Sequence, residues 1–486
     1  MSGRRHLNVI IIILFLASCK ASPYASSVKS KEVDRWMDKG NVTEEKPQTQ
    51  QGWWLVLNDK LINLLIDRTY AANSSLKLVA ARIDEARANL SYNKSGFLPE
   101  LDLQTNGNAS RVRARGKNPN PPSELNSIAP TIYVKPLKNN ISKIDVQPSI
   151  SWELDLFGKI RSMVEVAQLD LNAREADAEN TRLLVAAEIS DLVIDLRTCL
   201  YSAKLYKEKV KTLKQNLSLT DKRLTAGISS FIDQSNMINL LVSQEKIYSE
   251  QNKYCSLYVN SLVAISGSST NEIYNIIEQD KNDYFIPSFP KSKPGVPAKI
   301  LAEHPNIVVA EREAQAAWAS IAVAKVESMP KIDLSSAFAG QWITTSGSNL
   351  VIQTISMLPS IGVAIFDGGR GRANISASES RYYQAEANLQ AVLRNTVMEV
   401  ENALAEQKAA EENLKNIRKA YDSEKRRLKL IKALWSQGSA DLIDLGNSRC
   451  SYADAEINLI SAKKDLAKSH VSLIRATGNI LIDEEG

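Results

Sequence analysis

Apolar residues recur along the chain with two different periods, and the switches between them divide the sequence. Ile144, Val146, Ile150, Trp152, Leu154 and Leu156 alternate with polar or small residues, with Pro148 on the apolar phase, and Ile361, Val363 and Ile365 repeat the pattern. A period of two belongs to a strand with one apolar face. Leu101 and Leu103, and later Ile332 and Leu334, open the partner strands, so two β-hairpins are predicted. After each hairpin the spacing changes to three and four. Ile189, Leu192, Leu196, Cys199, Ala203, Tyr206, Val210, Leu213, Leu217, Thr220 and Leu224 follow it without a slip, and the run from Leu389 to Trp435 repeats it. This is the 3.5-residue period of a left-handed coiled coil. Gly227 and Gly438 interrupt the helical runs, and returning helices are predicted to about Ile265 and Ile474. An outgoing arm of about 65 residues would reach on the order of 100 Å, longer than a compact globule of this size uses.

The two halves follow one plan. Leu76 to Leu103 aligns with Ile307 to Leu334 at an offset of 231, Phe157-Gly-Lys-Ile-Arg161 with Phe366-Asp-Gly-Gly-Arg370 at 209, and Gly227 with Gly438 at 211. The falling offset places about 22 extra residues between Pro99 and Phe157, where Pro119, Pro121, Pro122, Pro130 and Pro136 gather, and this reads as a loop insertion. The expected organisation is a signal at 1–18 and an N-terminal tether and equatorial segment at 19–75. A first repeat at 76–267 has its β-hairpin at about 97–157 and its helical hairpin at about 158–267. A Pro-rich connector occupies 268–306. The second repeat at 307–478 has its β-hairpin at about 330–366 and its helical hairpin at about 367–478, followed by a tail at 479–486.

Arg4 and Arg5 precede an apolar run from Leu7 to Ala17, too short to span a bilayer and ordered in charge like a secretory signal. It closes on Leu16-Ala17-Ser18-Cys19, which resembles the bacterial lipobox, with Cys19 lipidated as the first mature residue. Lys20 after it is what the resemblance to lipoproteins associates with outer-membrane sorting. No other stretch approaches 18 consecutive apolar residues, so any span must be β.

Composition narrows the function. The 486 residues hold only 20 Gly and 16 Pro, as long regular elements require. The net charge of +5 arises from 60 basic and 55 acidic residues, which is no nucleic-acid signature, and it becomes +3 once residues 1–18 are removed. Three His and four Cys, all far apart, leave little for a metal site, and no Ser/His/Asp set or nucleotide loop stands out, so neither an enzyme nor a cofactor beyond the Cys19 lipid is expected. Phe366-Asp-Gly-Gly-Arg-Gly-Arg372 lacks the phosphate-loop spacing; a strand-to-helix transition accounts for its glycines. Arg111, Arg113 and Arg115 alternate, but the nearby prolines place them in a loop. Trp152, Phe157, Trp342 and Phe366 suit either an aromatic girdle or core packing near the helix junctions. Cys199 and Cys255 lie 28 residues either side of Gly227, so a hairpin would set them opposite each other. Buried cysteines acting as small hydrophobes are the favoured reading, because helix axes 8–10 Å apart often hold Cα atoms too far apart for a bond.

Four strands cannot close a barrel with an interior, and open edges are not tolerated in lipid, so membrane strands would have to close by oligomerisation. Ser151-Trp-Glu-Leu-Asp-Leu-Phe-Gly158-Lys-Ile-Arg161, Leu358 to Arg370, Arg223-Leu-Thr-Ala-Gly227, Leu473-Ile-Arg-Ala-Thr-Gly478 and His304-Pro-Asn-Ile-Val-Val-Ala-Glu resemble hallmarks of the TolC-like outer-membrane efflux factors. The likeness runs from about Trp54 to Gly478, and the lipobox points to the lipidated branch resembling OprM and NodT. The fold implied is mainly α with membrane β: two repeats, each a β-hairpin and a long coiled-coil helical hairpin, forming a homotrimeric β-barrel plus α-barrel. The function implied is that of a passive exit duct for drugs or other small molecules across periplasm and outer membrane, engaged by a periplasmic adaptor and an inner-membrane pump. A type I protein-secretion duct and a lipid-anchored periplasmic scaffold without a pore are the alternatives.

The resemblance also assigns residues. Gly227 and Gly438 would be the periplasmic tip turns, and Phe157, Gly158, Arg161, Phe366, Gly368, Gly369 and Arg370 the strand-to-helix junctions. The constriction would fall at Asp444 and Asn447, six and nine positions after the tip glycine, where family members carry acidic side chains. Asn447 departs from that pattern, and Asp444 also suits a solvated tip or a helix cap.

Overall fold

The computed structural model describes residues 52–113, 138–279, 286–287, 301–345 and 348–478. Cys19, residues 1–18, the prolines of the insertion, Arg115 and the tail at 479–486 lie outside the described residues.

The described elements run in two near-copies. After a short 3-10 helix (Trp53–Leu57) and α1 (Lys60–Ala72), the first copy comprises α2 (Ser74–Ser95), β1 (Glu100–Arg113), β2 (Lys138–Glu153), α3 (Lys159–Thr225) and α4 (Phe231–Ser266). Helix α5 (Thr270–Gln279) follows, and the second copy comprises α6 (Pro305–Val326), β3 (Lys331–Thr345), β4 (Ser348–Gly362), α7 (Arg370–Ser436) and α8 (Leu442–Thr477). Helices α3 and α7 are each 67 residues long, about 100 Å at 1.5 Å per residue. Helices α4 and α8 are each 36.

Several boundaries correct the sequence reading. Helix α5 lies inside the stretch read as a connector, where an apolar stripe carries Ile273 into the core. Arg111 and Arg113 belong to β1, because ladder pairing with Asn140 and Lys138 carries the strand into the segment read as loop. The alternation overruns the strands: β2 ends at Glu153, before Leu154 and Leu156, and β4 at Gly362, before Val363 and Ile365.

The chain divides into two compact units. One contains Ala86–Asp170 and Gln315–Tyr383. Its centre is a four-stranded antiparallel sheet in the order β1-β2-β3-β4. Leu101 faces Ile150, Leu103 faces Pro148, Ile144 faces Trp342 and Phe338 faces Ile355, so most apolar positions of the four strands share one face, while Ile343, Leu350, Ile352 and Leu358 fall on the other. The other face carries Asp102, Gln104, Asn106, Ser149, Gln147, Gln341 and Thr354. The β2–β3 ladder breaks at Gln147 and Pro148, where proline has no N–H to give, and Pro359 sits in the edge strand β4, where proline is tolerated.

The other unit holds the described residues of 26–85, 171–314 and 384–486. Its main core joins Trp53, Leu57, Leu61, Ile62, Leu65 and Ile66 to Ile189, Val193, Ile194 and Leu196 of α3, Leu262 of α4, Ile273 of α5 and Val471 of α8. Fully burying such side chains contributes about 1.5–3 kcal/mol each. The coiled-coil stripe of α3 is buried or half-buried from Ile189 to Leu224. On α7 the stripe holds from Leu389 to Ile431, and Trp435 is exposed.

Candidate functional site

The sheet presents the first functional feature. Its apolar face is exposed over Leu101, Leu103, Ile144, Phe338, Trp342, Ile355 and Met357. Edge strands β1 and β4 have one neighbour each among the described residues. The sheet is therefore amphipathic, solvated on its polar side and unpartnered along two edges.

Each hairpin passes into its long helix through a capped turn. In the first, Gly158 takes φ 81° and the Asp155 carboxylate accepts from Ile160 N at 2.9 Å and Arg161 N at 3.1 Å. Arg161 Nε returns to the same carboxylate at 3.1 Å. In the second, Gly368 and Gly369 take φ 66° and 90°, and Asp367 accepts from Gly369 N at 2.8 Å and Gly371 N at 2.7 Å. These two donors hold the Asp367 carboxyl below the usual range. Arg370 opens α7. Sequence comparison marked the glycines and missed both aspartates, whose place relative to the phenylalanine differs: two residues before Phe157, one after Phe366. Phe157 is half-buried, whereas Phe366 is 90% exposed beside an exposed Ile365. Trp152 donates to the Phe97 carbonyl at 3.1 Å and Trp342 lies on the exposed apolar face.

Gly227 (φ 70°) and Gly438 (φ 74°) end α3 and α7 in left-handed turns, where a side chain would be strained. A capping box then opens each returning helix, Ser230 with Asp233 and Asp441 with Asp444. Asp444 is exposed, and its carboxylate accepts from Asp441 N at 3.3 Å. The Asp441 carboxylate accepts from Asp444 N at 2.7 Å and from Arg223 Nη1 at 3.0 Å, and both donors hold its pKa down. Asn447 is exposed, with Oδ1 3.4 Å from Asn216 Nδ2 of α3. Gly446 lies directly under Asn216: a Cβ there would meet its Oδ1 at 2.3 Å. Sequence spacing singled out Asp444 and Asn447 and missed Gly446 and the Arg223–Asp441 pair; no one-dimensional signal links residues 218 positions apart.

Farther along the same helices, α8 is tied to α3 by polar pairs. Lys468 Nζ reaches Asp195 at 2.7 Å, Lys209 reaches Asp454, and Tyr201 donates to Glu456. Asp191, one turn from Asp195, has a buried carboxylate oxygen, and burial raises its pKa to about 6. His470 shares a hydrogen bond with Gln407 at 3.0 Å, and His304 accepts from Asn306 N at 3.3 Å; burial lowers both pKa values to about 4.

Cys199 and Cys255 are bonded, their Cα atoms 5.5 Å apart. This overturns the expectation of two separate hydrophobes. Cys199, Cys255 and Ala203 pack into one cluster between α3 and α4, and Cα atoms that face each other across an ordinary helix pair come within bonding reach. Among the described residues no group of three or more His, Cys, Asp or Glu is placed to hold a metal ion, and no helix is long and apolar enough to cross a membrane.

Comparison with known proteins agrees in extent. The profile of the family described as outer membrane efflux protein matches residues 65–267 and 296–479. Outer membrane protein OprJ of Pseudomonas aeruginosa is 25% identical over 97% of this chain and 95% of its own. Nodulation protein T of Rhizobium leguminosarum is 24% identical over 96% and 92%. The crystal structure of the Campylobacter jejuni CmeC outer membrane channel superposes with a TM-score of 0.77 at 18% identity, covering 96% of both chains.

Proposed function

The chain belongs to the outer membrane efflux protein family, and from that premise we propose that three copies close their sheets into one twelve-strand barrel in the outer membrane and continue it as a twelve-helix tube into the periplasm. The observation that carries this reading is the four-stranded amphipathic sheet whose two edges are unpaired among the described residues. Unpaired backbone groups cost several kcal/mol each in hydrocarbon. Two chains would give eight strands and a barrel filled by its own side chains; three leave a lumen. Phe366 supports the same closure. Its counterpart Phe157 follows the inner strand β2 and is half-buried, while Phe366 follows the edge strand β4 and is bare, a position a neighbouring copy would cover.

The duct is passive. It receives small molecules from an inner-membrane pump through a periplasmic adaptor, and the tip turns at Gly227 and Gly438 are where the adaptor engages. Cys19 carries the lipid that tethers each copy to the outer membrane. Asp444 supplies one carboxylate per copy to a ring at the periplasmic end, and its exposure fits that role.

Heat-modifiable migration of the purified protein and conductance in planar bilayers test the reading together. A trimer that converts to monomer on boiling and conducts ions is expected; a monomer with no conductance sinks the duct and leaves a lipid-anchored scaffold.

A further inference from the structure

The bond between Cys199 and Cys255 closes a stretch of 56 residues across the α3–α4 hairpin. It has no counterpart in the second repeat, where an offset of 211 places Ala410 and Leu466. Once the hairpin is packed, the two sulfurs are inaccessible. Cys199 is 2% and Cys255 6% exposed, enclosed by Leu200, Ala203, Tyr248 and Tyr258, with Gln251 Nε2 3.2 Å from the Cys199 sulfur. Thiol–disulfide exchange needs a thiolate and a clear approach to the sulfur under attack. Neither an oxidant nor a reductant finds one in the folded hairpin. Cys450, the remaining cysteine of the described residues, is half-buried near Lys209, ten residues beyond Cys199 and so about 15 Å farther along α3. It cannot join either partner in the folded chain.

We propose that this protein matures by oxidation before it folds: a thiol–disulfide exchange protein of the periplasm donates the Cys199–Cys255 bond to the emerging chain, and packing of α3 on α4 then seals it. Synthesis runs from the N-terminus, so Cys199 and Cys255 reach the donor before Cys450 does. The thiolate of Cys199, its proton lost to solvent, attacks one sulfur of the donor's disulfide, and the donor's other sulfur leaves as a thiolate. The thiolate of Cys255 then attacks the Cys199 sulfur of the mixed disulfide and releases the donor's second thiolate. The two cysteines are oxidised and the donor disulfide is reduced to a dithiol. With the Cys19 sulfur taken up by its lipid, pairing in chain order makes the native bond directly, without reshuffling.

The proposal rests on the outer-membrane lipoprotein reading for its oxidising compartment and for the lipid on Cys19, and the thiol map is read without any transport measurement, so it and the duct reading fail separately. The full chain and a Cys199→Ala/Cys255→Ala variant are produced in cells with and without their periplasmic disulfide donor. Samples are quenched in acid, and free thiols are labelled with a maleimide-polyethylene glycol after denaturation without reductant. Donor-containing cells are expected to yield Cys199 joined to Cys255 with Cys450 labelled. Donor loss should raise labelling of Cys199 and Cys255 and lower the amount of folded wild type several-fold, with the double variant unchanged between backgrounds. Free Cys199 and Cys255 in donor-containing cells, a bond to Cys450, or a double variant that falls as far as the wild type on donor loss would each overturn it.

Discussion

Arg197 of α3 closes on Asp59, the residue that caps α1, with Nη2 3.0 Å from Oδ1 and Nε 3.0 Å from Oδ2. The same carboxylate accepts from Leu61 N at 2.9 Å and Ile62 N at 3.2 Å, so one group serves both a helix terminus and an ion pair. Both side chains are buried. A buried pair adds little over an apolar replacement of both partners, but removing one strands the other charge. Arg197→Met is therefore expected to cost about 3–5 kcal/mol, read from the denaturation midpoint. The exposed Arg182–Glu179 pair sets the comparison: Arg182→Ala should cost about 0–1 kcal/mol. Equal losses would mean the Asp59 pair is not desolvated.

Stability should carry opposing pH dependences. Asp191 titrates at about 6 when folded, above its unfolded value of 3.8, so its contribution is fully present below 3.8 and is lost as pH rises through 6. His304 and His470 titrate at about 4, below 6.5, so theirs is present above 6.5 and lost as pH falls through 4. Asp191→Asn is expected to gain on the wild type from pH 4 to pH 7, and His470→Gln to lose less than the wild type on acidification across the same window. Denaturation midpoints at each pH check both, and parallel curves for variant and wild type count against the assignment.

Gly446 has no room for a side chain, because Asn216 is itself buried and lies 2.3 Å from where a Cβ would sit. Gly446→Ala should cost about 1–3 kcal/mol, as overpacking does, and Gly446→Ala with Asn216→Ala should recover part of that loss. A neutral single variant would show that α8 shifts freely on α3.

The sheet faces give a paired test. Phe338 and Ile355 oppose each other on the apolar face, and Ala339 and Thr354 on the polar one. An arginine facing lipid costs up to about 2–4 kcal/mol, whereas one facing a lumen does not. Ile355→Arg should sharply reduce the protein recovered in outer membranes, and Thr354→Arg should leave it near wild type. The reverse ranking would invert the sheet.

At the tip, Asp444→Ala removes one carboxylate per copy and also half of a capping box, whose loss costs about 1 kcal/mol. A ring of carboxylates attracts cations, so single-channel conductance or cation block in planar bilayers should change. Asp444→Asn keeps an oxygen for the cap. Unchanged conductance and block in both variants leaves Asp444 a cap alone.

The repeat, the helix lengths and the strand faces were legible because each is a matter of period. Helices α3 and α7 were expected at about 65 residues and have 67, since no proline falls between Lys159 and Thr225 or between Arg370 and Ser436, and the one glycine, Gly371, sits in the first turn of α7. The limits of the strands were less legible. Alternation ran on through Leu156 and Ile365, because a side-chain pattern does not record where ladder hydrogen bonds stop. At the candidate site the glycines showed and their partners did not: Asp155, Asp367, Arg223 and Gly446 have the same letters as solvated neighbours.

By itself the sequence determined two copies of a strand-and-helix plan, the turns at Gly227 and Gly438, and the amphipathic faces, since propensity, period and glycine conformation act over a few residues. Only the tertiary structure decided that Asp59 meets Arg197, that Asn216 seats on Gly446, and that Cys199 and Cys255 are close enough to bond. Those contacts depend on how nearly two helices approach, a distance set by the side chains of both at once.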